Sequence, residues 1–139
     1  MARADFYLIS DASPDAAERF ACRLAAKVYG LDHQVHVRVA DADMLARMDT
    51  LLWTFTDDSF VPHDVVLEGP ATAPVTLADA DRPLPDGTEV CINLCADGVD
   101  APCARIAEIV AGDDASRAAG RQRYAQYRER GLDLDTHTF

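Results

Sequence analysis

The chain has 139 residues, 49% of them apolar and 27% charged, which predicts one globular domain over residues 1–139 with a buried core. No apolar run approaches the roughly 20 residues that a membrane-spanning helix needs. The net charge of −11 argues against general binding of nucleic-acid duplexes, because neutralising phosphates requires a broad basic surface. The N-terminal residues contain no signal-peptide cleavage region, which predicts a cytoplasmic protein.

The N-terminal part of the chain has the pattern of a strand followed by a helix. Residues 5–10 form a short run rich in aromatic and branched side chains, which is typical of a buried strand. The next segment predicts a helix with Ser13 as its N-cap and Pro14 in its first turn. Gly30 is expected to end that helix.

A second strand and helix follow. Residues 33–39 alternate in polarity, which predicts a strand with valines on one face and His36 and Arg38 on the other. Asp41 is expected to cap a helix that continues to about Trp53.

The middle of the chain is less regular. Five prolines interrupt residues 57–87, where short strands are expected around 65–67 and 75–77. Residues 89–94 predict a further core strand, and residues 101–111 predict a short helix.

Alternating strands and helices predict a single three-layer, Rossmann-like α/β domain with a mostly parallel sheet. The turn after the first strand, residues 10–14, contains no glycine that would let a phosphate approach a helix N-terminus. Neither a G-x-G-x-x-G motif nor a P-loop occurs in the sequence. We therefore expect no cofactor, although a Rossmann-like enzyme or nucleotide-binding protein with no recognisable site remains the alternative.

Several sets of polar side chains could in principle carry metal or catalytic chemistry, but their spacing favours ordinary turn, strand or core roles. Four cysteines in a cytoplasmic protein are expected to be reduced and mostly buried. The sets are Cys91, Cys95 and Cys103; His33 and His36; Asp57 and Asp58; and Ser59 with His63.

A concentration of arginines near the C-terminus is the strongest functional signal. Residues 117–130 contain five arginines and one glutamate, a local charge of +4 that leaves −15 on the remainder of the chain. Asp113 and Gly131 fit the beginning and end of a helix. Spacings of i, i+4, i+7 and i+11 place four side chains on one face of it: Arg117, Arg121, Tyr124 and Arg128. This face predicts a site for an acidic ligand with an apolar part, although basic residues at a helix end also simply match the helix dipole.

A second candidate surface follows the second helix. Aromatic and branched residues crowd a proline-containing loop, where they either pack back onto the core or form an apolar patch for a protein partner. The candidate interface residues are Trp53, Phe60, Val61, Pro62 and His63.

Together these segments resemble the chi subunit of bacterial DNA polymerase III. The resemblance is carried by Phe6-Tyr-Leu, by Leu52-Trp53 with Ser59-Phe-Val-Pro-His63 and Glu68-Gly-Pro70, and by Arg121-Gln-Arg-Tyr-Ala-Gln-Tyr-Arg128 before Gly131-Leu-Asp-Leu. It spans nearly the whole chain. The sequence departs from the family pattern at Phe55. It also departs at Ala125, a position where relatives carry a lysine.

The resemblance implies a non-catalytic adaptor that binds two partners. One is a psi-like subunit of the clamp loader, expected at the Trp53–His63 segment, with a helicase-like partner also implied at Phe60. The other is the acidic, phenylalanine-terminated tail of single-stranded DNA-binding protein, expected at Arg117, Arg121, Tyr124 and Arg128. No direct nucleic-acid binding, cofactor or membrane association is expected.

Overall fold

The computed structural model describes residues 2–11, 13, 15–54, 62–65, 73–79, 83–85, 87–100 and 103–139. Within them, seven strands form one sheet in the order β3-β4-β2-β5-β6-β1-β7, and every neighbouring pair is parallel. The strands are β1 (Arg3–Leu8), β2 (Val35–Val39), β3 (His63–Val65), β4 (Val75–Asp79), β5 (Val90–Asn93), β6 (Arg105–Val110) and β7 (Asp133–Thr138).

In the described ranges, three helices cover the two faces of this sheet: α1 (Ala16–Gly30), α2 (Ala42–Thr54) and α3 (Asp114–Glu129). One apolar cluster joins α1 and α2 to one face, and a second cluster joins α3 to the other. The predicted three-layer α/β fold with a parallel sheet is therefore confirmed. None of the helices in the described part of the chain combines the length and apolarity that crossing a bilayer requires.

Strand β1 contributes side chains to the apolar clusters on both faces of the sheet. Phe6 packs with the α3 cluster, whereas Tyr7 packs against the α1 cluster. β1 lies inside the sheet between β6 and β7, and different helices cover its two faces. Its Asp5 is nevertheless fully buried, and its charge is matched by neighbouring arginines described below.

The ends of α3 confirm the sequence prediction for that helix. The side chain of Asp113 accepts a hydrogen bond of 3.0 Å from the backbone N–H of Ser116. At the other end, Gly131 has a φ of 82°, the left-handed conformation that terminates many helices. The N–H groups of Gly131 and Leu132 donate to the carbonyls of Arg128 and Tyr127, so the last turn is closed by a Schellman motif. These caps fix the register of the arginine-bearing face.

The helix predicted over 101–111 is wrong, because Arg105–Val110 is strand β6. The strand lies between β5 and β1 and is covered on both faces, so apolar side chains need not alternate. Ile106, Ile109 and Val110 happen to satisfy helical i, i+3, i+4 spacing, which produced the error.

The other differences concern boundaries and polar strands. Helix α1 begins after Asp15, and the backbone N–H of Ser13 instead donates to the side chain of Asp11. The short strand expected at 65–67 runs over His63–Val65, and residues 66–70 lie outside the described residues. Strand β2 begins at Val35, and the prediction that its second face is polar missed the complete burial of His36. Asp41 caps α2 as predicted, with its carboxylate 2.8 Å from the N–H of Met44.

Candidate functional site

A cavity of about 420 Å³ lies between α3 and the sheet at the β7 edge. Its floor is apolar and includes Phe6, Leu8 and Val110, and the ring of Tyr124 packs edge-on against Phe6 with 5.3 Å between centroids. Thr136 and Thr138 of β7, with Ser10, supply hydroxyl groups. The rim on the helix side is formed by Arg117 and Arg121. The cavity thus combines an apolar floor with a cationic rim.

The exposed arginines of α3 remain available to a ligand. Arg117, Arg121 and Arg128 are all exposed, and none forms an ion pair with another described residue. Tyr124 is half-buried because its ring forms part of the cavity wall. Arg128 continues the same helical stripe one turn beyond Tyr124 but does not line the cavity itself. Of the four predicted residues, the structure therefore brings Arg117, Arg121 and Tyr124 to one cavity, and Arg128 lies outside it on the same face of the helix.

Two glycines allow the close packing that shapes this cavity. A Cβ at Gly120 would lie 3.1 Å from both methyl groups of Val110, so glycine lets α3 approach β6. A Cβ at Gly112 would lie 2.9 Å from the carbonyl oxygen of Ile9, closer than side chains normally come. The loop that leads into α3 is thereby held against the end of β1.

Arg123 belongs to the core and not to the exposed basic face. It is 4% exposed, and its Nε lies 3.1 Å from Oε1 of the fully buried Glu108, without the geometry of a hydrogen bond. Its Nη1 donates to the carbonyl of Ala96 at 3.0 Å. The sequence segment of five arginines thus contains one whose charge is already neutralised inside the protein.

The same carboxylate is hydrogen-bonded by two further buried side chains. Asn93 donates to Glu108 Oε1 at 2.6 Å, and the Tyr127 hydroxyl donates to Oε2 at 2.7 Å while accepting from the N–H of Val99 at 2.8 Å. Desolvation raises the pKa of Glu108, although the charge of Arg123 and these hydrogen bonds oppose the effect. Tyr127 is therefore not part of the exposed face of α3 but a fully buried anchor of that helix.

A second cavity, of about 410 Å³, lies near the carboxyl ends of β2, β5 and β6, which is where parallel α/β sheets often bind ligands. Its wall includes Glu18 and Asp113. Asp113 already occupies the N-terminus of α3, and its hydrogen bonds with Ser116 lower the pKa of its carboxyl group. Glu18 is paired with Arg47, and Arg123, which also lines the cavity, is paired with Glu108. At the N-terminus of α3, where nucleotide sites usually offer free N–H groups, a phosphate would meet the carboxylate of Asp113. This cavity disfavours the alternative nucleotide-binding reading.

Among the residues that the structure describes, one group of side chains has oxygen and nitrogen atoms close enough to hold a cation. Asp5, Asp135 and His137 lie with ligand atoms within 4.8 Å of one another. Arg3 and Arg105 already bind the Asp5 carboxylate at 3.0 and 2.9 Å. Burial acts to raise the pKa of Asp5, but hydrogen bonds from Arg3, Arg105 and His137 outweigh it and lower the pKa. Two guanidinium groups therefore supply the positive charge that a metal would bring.

The second predicted surface is described only in part. Trp53, at the end of α2, is 48% exposed, and its ring centroid lies 4.5 Å from that of His63. The His63 side chain is 1% exposed and its Nε2 lies 2.9 Å from Asp49 Oδ1, so it supports Trp53 from inside. Pro62 is half-buried, and Phe60 and Val61 lie outside the described residues. Among the predicted interface residues that are described, Trp53 offers the largest exposed apolar surface.

Strand β7 is the part of the site that sequence reasoning missed. Its residues, Asp-Leu-Asp-Thr-His-Thr, carry little apolar character because β7 is an edge strand. Leu134 packs into the α3 cluster while Thr136 and Thr138 line the cavity. The available signal was the alternation of Leu132 and Leu134 directly after a glycine-terminated helix.

Comparison with known proteins places this arrangement in a family. Residues 1–135 match the family model described as DNA polymerase III chi subunit, HolC. The chain is 37% identical to DNA polymerase III subunit chi of Pseudomonas aeruginosa PAO1 over 139 residues, covering 99% of this chain and 96% of that protein. It is 31% identical to the subunit of the same name from Escherichia coli K12, covering 100% of this chain and 99% of that protein.

A solved structure with low sequence similarity has a related fold. The crystal structure of T4 UvsW superimposes with a TM-score of 0.66 at 9% identity. The match covers 99% of this chain but 41% of the UvsW chain. At this identity the likeness concerns the fold alone.

Proposed function

The chain belongs to the DNA polymerase III chi subunit family, and from this membership we propose that it is a non-catalytic adaptor of the bacterial replicase. In this proposal, the cavity beside α3 binds the acidic, phenylalanine-terminated tail of single-stranded DNA-binding protein. The surface around Trp53 binds a psi-like subunit that connects the chain to the clamp loader. A helicase-like partner at Phe60 stays a prediction.

The observation that carries the tail-binding proposal is the pairing of an apolar floor with exposed arginines that form no ion pair among the described residues. A terminal phenylalanine ring suits the apolar floor of Phe6, Leu8 and Val110 and the adjoining ring of Tyr124. Its carboxylate and the preceding acidic residues suit Arg117 and Arg121 at the rim. Neutral peptides gain nothing from the rim, and acidic peptides without an apolar end gain nothing from the floor.

The test is a titration of a labelled acidic peptide that ends in phenylalanine. We expect Arg121→Glu to weaken binding by roughly 1–2 kcal/mol, which is about five- to thirtyfold, because a charge-assisted contact becomes a repulsive one. Arg23→Glu on α1 is the matched control, since it changes the net charge equally at an exposed arginine of another helix. Equal affinity of Arg121→Glu and Arg23→Glu contradicts the assignment.

Two further arms of the titration separate a specific site from simple charge attraction. Raising the salt concentration through the physiological range should weaken binding, because the exposed arginines are screened. Removing the terminal phenylalanine of the peptide should weaken binding at every salt concentration, because the cavity floor then stays empty. A peptide that loses its phenylalanine without losing affinity contradicts the role of the cavity.

The psi-like partner is tested at Trp53. Aromatic anchors at interface centres commonly contribute about 2 kcal/mol or more, so Trp53→Ala should reduce co-purification with a psi-like subunit. Leu31→Ala is the matched control, because Leu31 is 62% exposed at the end of a different helix. Undiminished co-purification by Trp53→Ala moves the proposed interface elsewhere.

A further inference from the structure

Strand β7 presents an open hydrogen-bonding edge beside the arginine stripe. It is the last strand of the described sheet on that side, with β1 as its neighbour. The N–H groups of Asp133 and Phe139 donate to carbonyls of Ala2 and Leu8, so the odd-numbered residues face β1. Because the backbone groups of a strand alternate in direction, those of Leu134, Thr136 and Thr138 point outward.

The same three residues have side chains on the face of the sheet that α3 covers. Leu134 packs in the α3 cluster, and Thr136 and Thr138 line the cavity. An additional strand on this edge would lie about 4.8 Å from β7, and its side chains on the α3 face would reach the cavity and the arginines. The edge and the cavity therefore form one continuous surface.

The length of the arginine stripe matches that of the strand. From Arg117 to Arg128 is eleven residues of helix, or about 16 Å at a rise of 1.5 Å per residue. The six residues of β7 span a similar distance, about 17 Å at 3.3 Å per residue. A peptide of five or six extended residues can thus contact the whole stripe while paired with β7.

The ends of the two elements fix the direction of such a peptide. Gly112, just before α3, lies against the end of β1, whereas Asp133 pairs near the beginning of β1, so α3 runs opposite to the strands. Arg117 therefore lies near Thr138 in the cavity, and Arg128 lies near the beginning of β7. A peptide with its C-terminus in the cavity runs parallel to β7.

We propose that the acidic tail binds by adding a parallel eighth strand to the open edge of β7, with its terminal side chain in the α3 cavity. This inference rests on the proposed function and adds the mode and direction of binding. Acidic side chains of the tail face α3, because the exposed arginines of that helix form no ion pair among the described residues, whereas Arg3 on the opposite face of the sheet is already paired with Asp135 at 2.7 Å. Pairing through backbone atoms explains how a short polar edge strand contributes to affinity without large side chains of its own.

Methylating the backbone nitrogen of each peptide residue in turn tests this directly. Only alternate residues of an added strand donate to β7, so we expect losses of about tenfold at alternate positions and little change between them. The intact wild-type protein is used for this series, so protein stability does not affect the result. Affinity losses without a two-residue period overturn the inference.

A substitution in β7 tests the protein side. Thr136→Pro removes an N–H that points away from β1, a position where proline is tolerated in edge strands, and should weaken binding about tenfold. Thr136→Val is the matched control, since it keeps the N–H and nearly the same shape. If Thr136→Pro binds like Thr136→Val while Arg121→Glu binds more weakly than the wild type, the peptide is held by the cavity and its arginines alone and this inference fails. If the wild type does not bind the peptide at low salt, the proposed function itself fails.

Discussion

The same substitution at two arginines of α3 should affect two different properties, the stability of the fold at one and peptide binding at the other. Arg121 is exposed at the cavity rim, whereas Arg123 is 4% exposed and lies 3.1 Å from the buried Glu108 carboxylate. Methionine has nearly the helix propensity of arginine, so replacing either residue by methionine isolates the charge and its contacts. Arg123→Met should destabilise the fold, and Arg121→Met should weaken tail binding.

The magnitudes follow from burial. Removing one partner of a buried ion pair costs about 3–5 kcal/mol, because the other charge remains without compensation. For a domain of this length that corresponds to a fall in melting temperature of roughly 10–20 °C. The exposed substitution Arg121→Met should change the free energy of unfolding by no more than about 0.5 kcal/mol. Urea unfolding followed by circular dichroism, at equal protein concentration, measures both values.

The pH dependence adds a second, independent check. Burial raises the pKa of Glu108, and loss of the Arg123 charge should raise it further. A folded state with a raised carboxyl pKa holds its proton where the unfolded chain, with a pKa near 4.5, has lost it, so this contribution to stability falls as pH rises. The destabilisation by Arg123→Met should therefore be greatest near neutral pH and shrink towards pH 4.5.

A double substitution shows whether Glu108 is the cause. Arg123→Met together with Glu108→Gln removes both charges, and we expect this protein to be more stable than Arg123→Met alone near neutral pH. If Arg123→Met unfolds at the same urea concentration as the wild type, or if its deficit does not change with pH, the buried pair does not contribute as the structure indicates.

Three other substitutions or treatments test separate features. Desolvation lowers the pKa of His36 to about 4, so the unfolded chain takes up a proton near pH 6.5 that the folded state does not. The contribution of His36 to the free energy of unfolding should therefore fall by about 3 kcal/mol as pH drops from 6.5 to 4. In urea unfolding, His36→Gln should flatten this pH dependence. Desolvation raises the pKa of Cys22 to about 12 and that of Cys95 to about 11, so a thiol reagent at pH 8 should label both slowly in the folded protein and rapidly in urea. Gly112→Ala brings a Cβ against the carbonyl of Ile9 and should lower the free energy of unfolding by roughly 1–3 kcal/mol, whereas an unchanged melting temperature would show that the loop relaxes easily.

Local signals in the sequence predicted the architecture well wherever a helix end or an apolar run was present. The two ends of α3 were predicted correctly at Asp113 and Gly131, because capping depends on residues adjacent in sequence. β6 was misread because a strand covered on both faces loses its two-residue alternation, and three apolar side chains then fit helical spacing as well. Strand β7 escaped notice because an edge strand needs few apolar residues.

Spacing alone could not show which arginines of α3 are exposed and which one is buried. Arg121 and Arg123 are two residues apart on one helix, and their different fates depend on Glu108 of β6 and on the segment that contains Ala96. Those contacts are made by residues 15 and 27 positions away along the chain. Likewise, the cavity depends on Phe6 and Thr136, which come from distant strands, so the sequence could indicate the cationic rim but not the floor.

In the proposed complex, the groups that attract an acidic tail differ from the groups that hold it. The remainder of the chain carries −15 and repels an acidic peptide, so the exposed arginines of α3 determine where such a peptide arrives. Their contribution is weakened by salt, because exposed charges are screened over about 8 Å at physiological ionic strength. The apolar floor of Phe6, Leu8 and Val110 is insensitive to that screening. High salt should therefore slow association more than it speeds dissociation, whereas loss of the terminal phenylalanine should act mainly on dissociation, and rapid-mixing kinetics can distinguish the two.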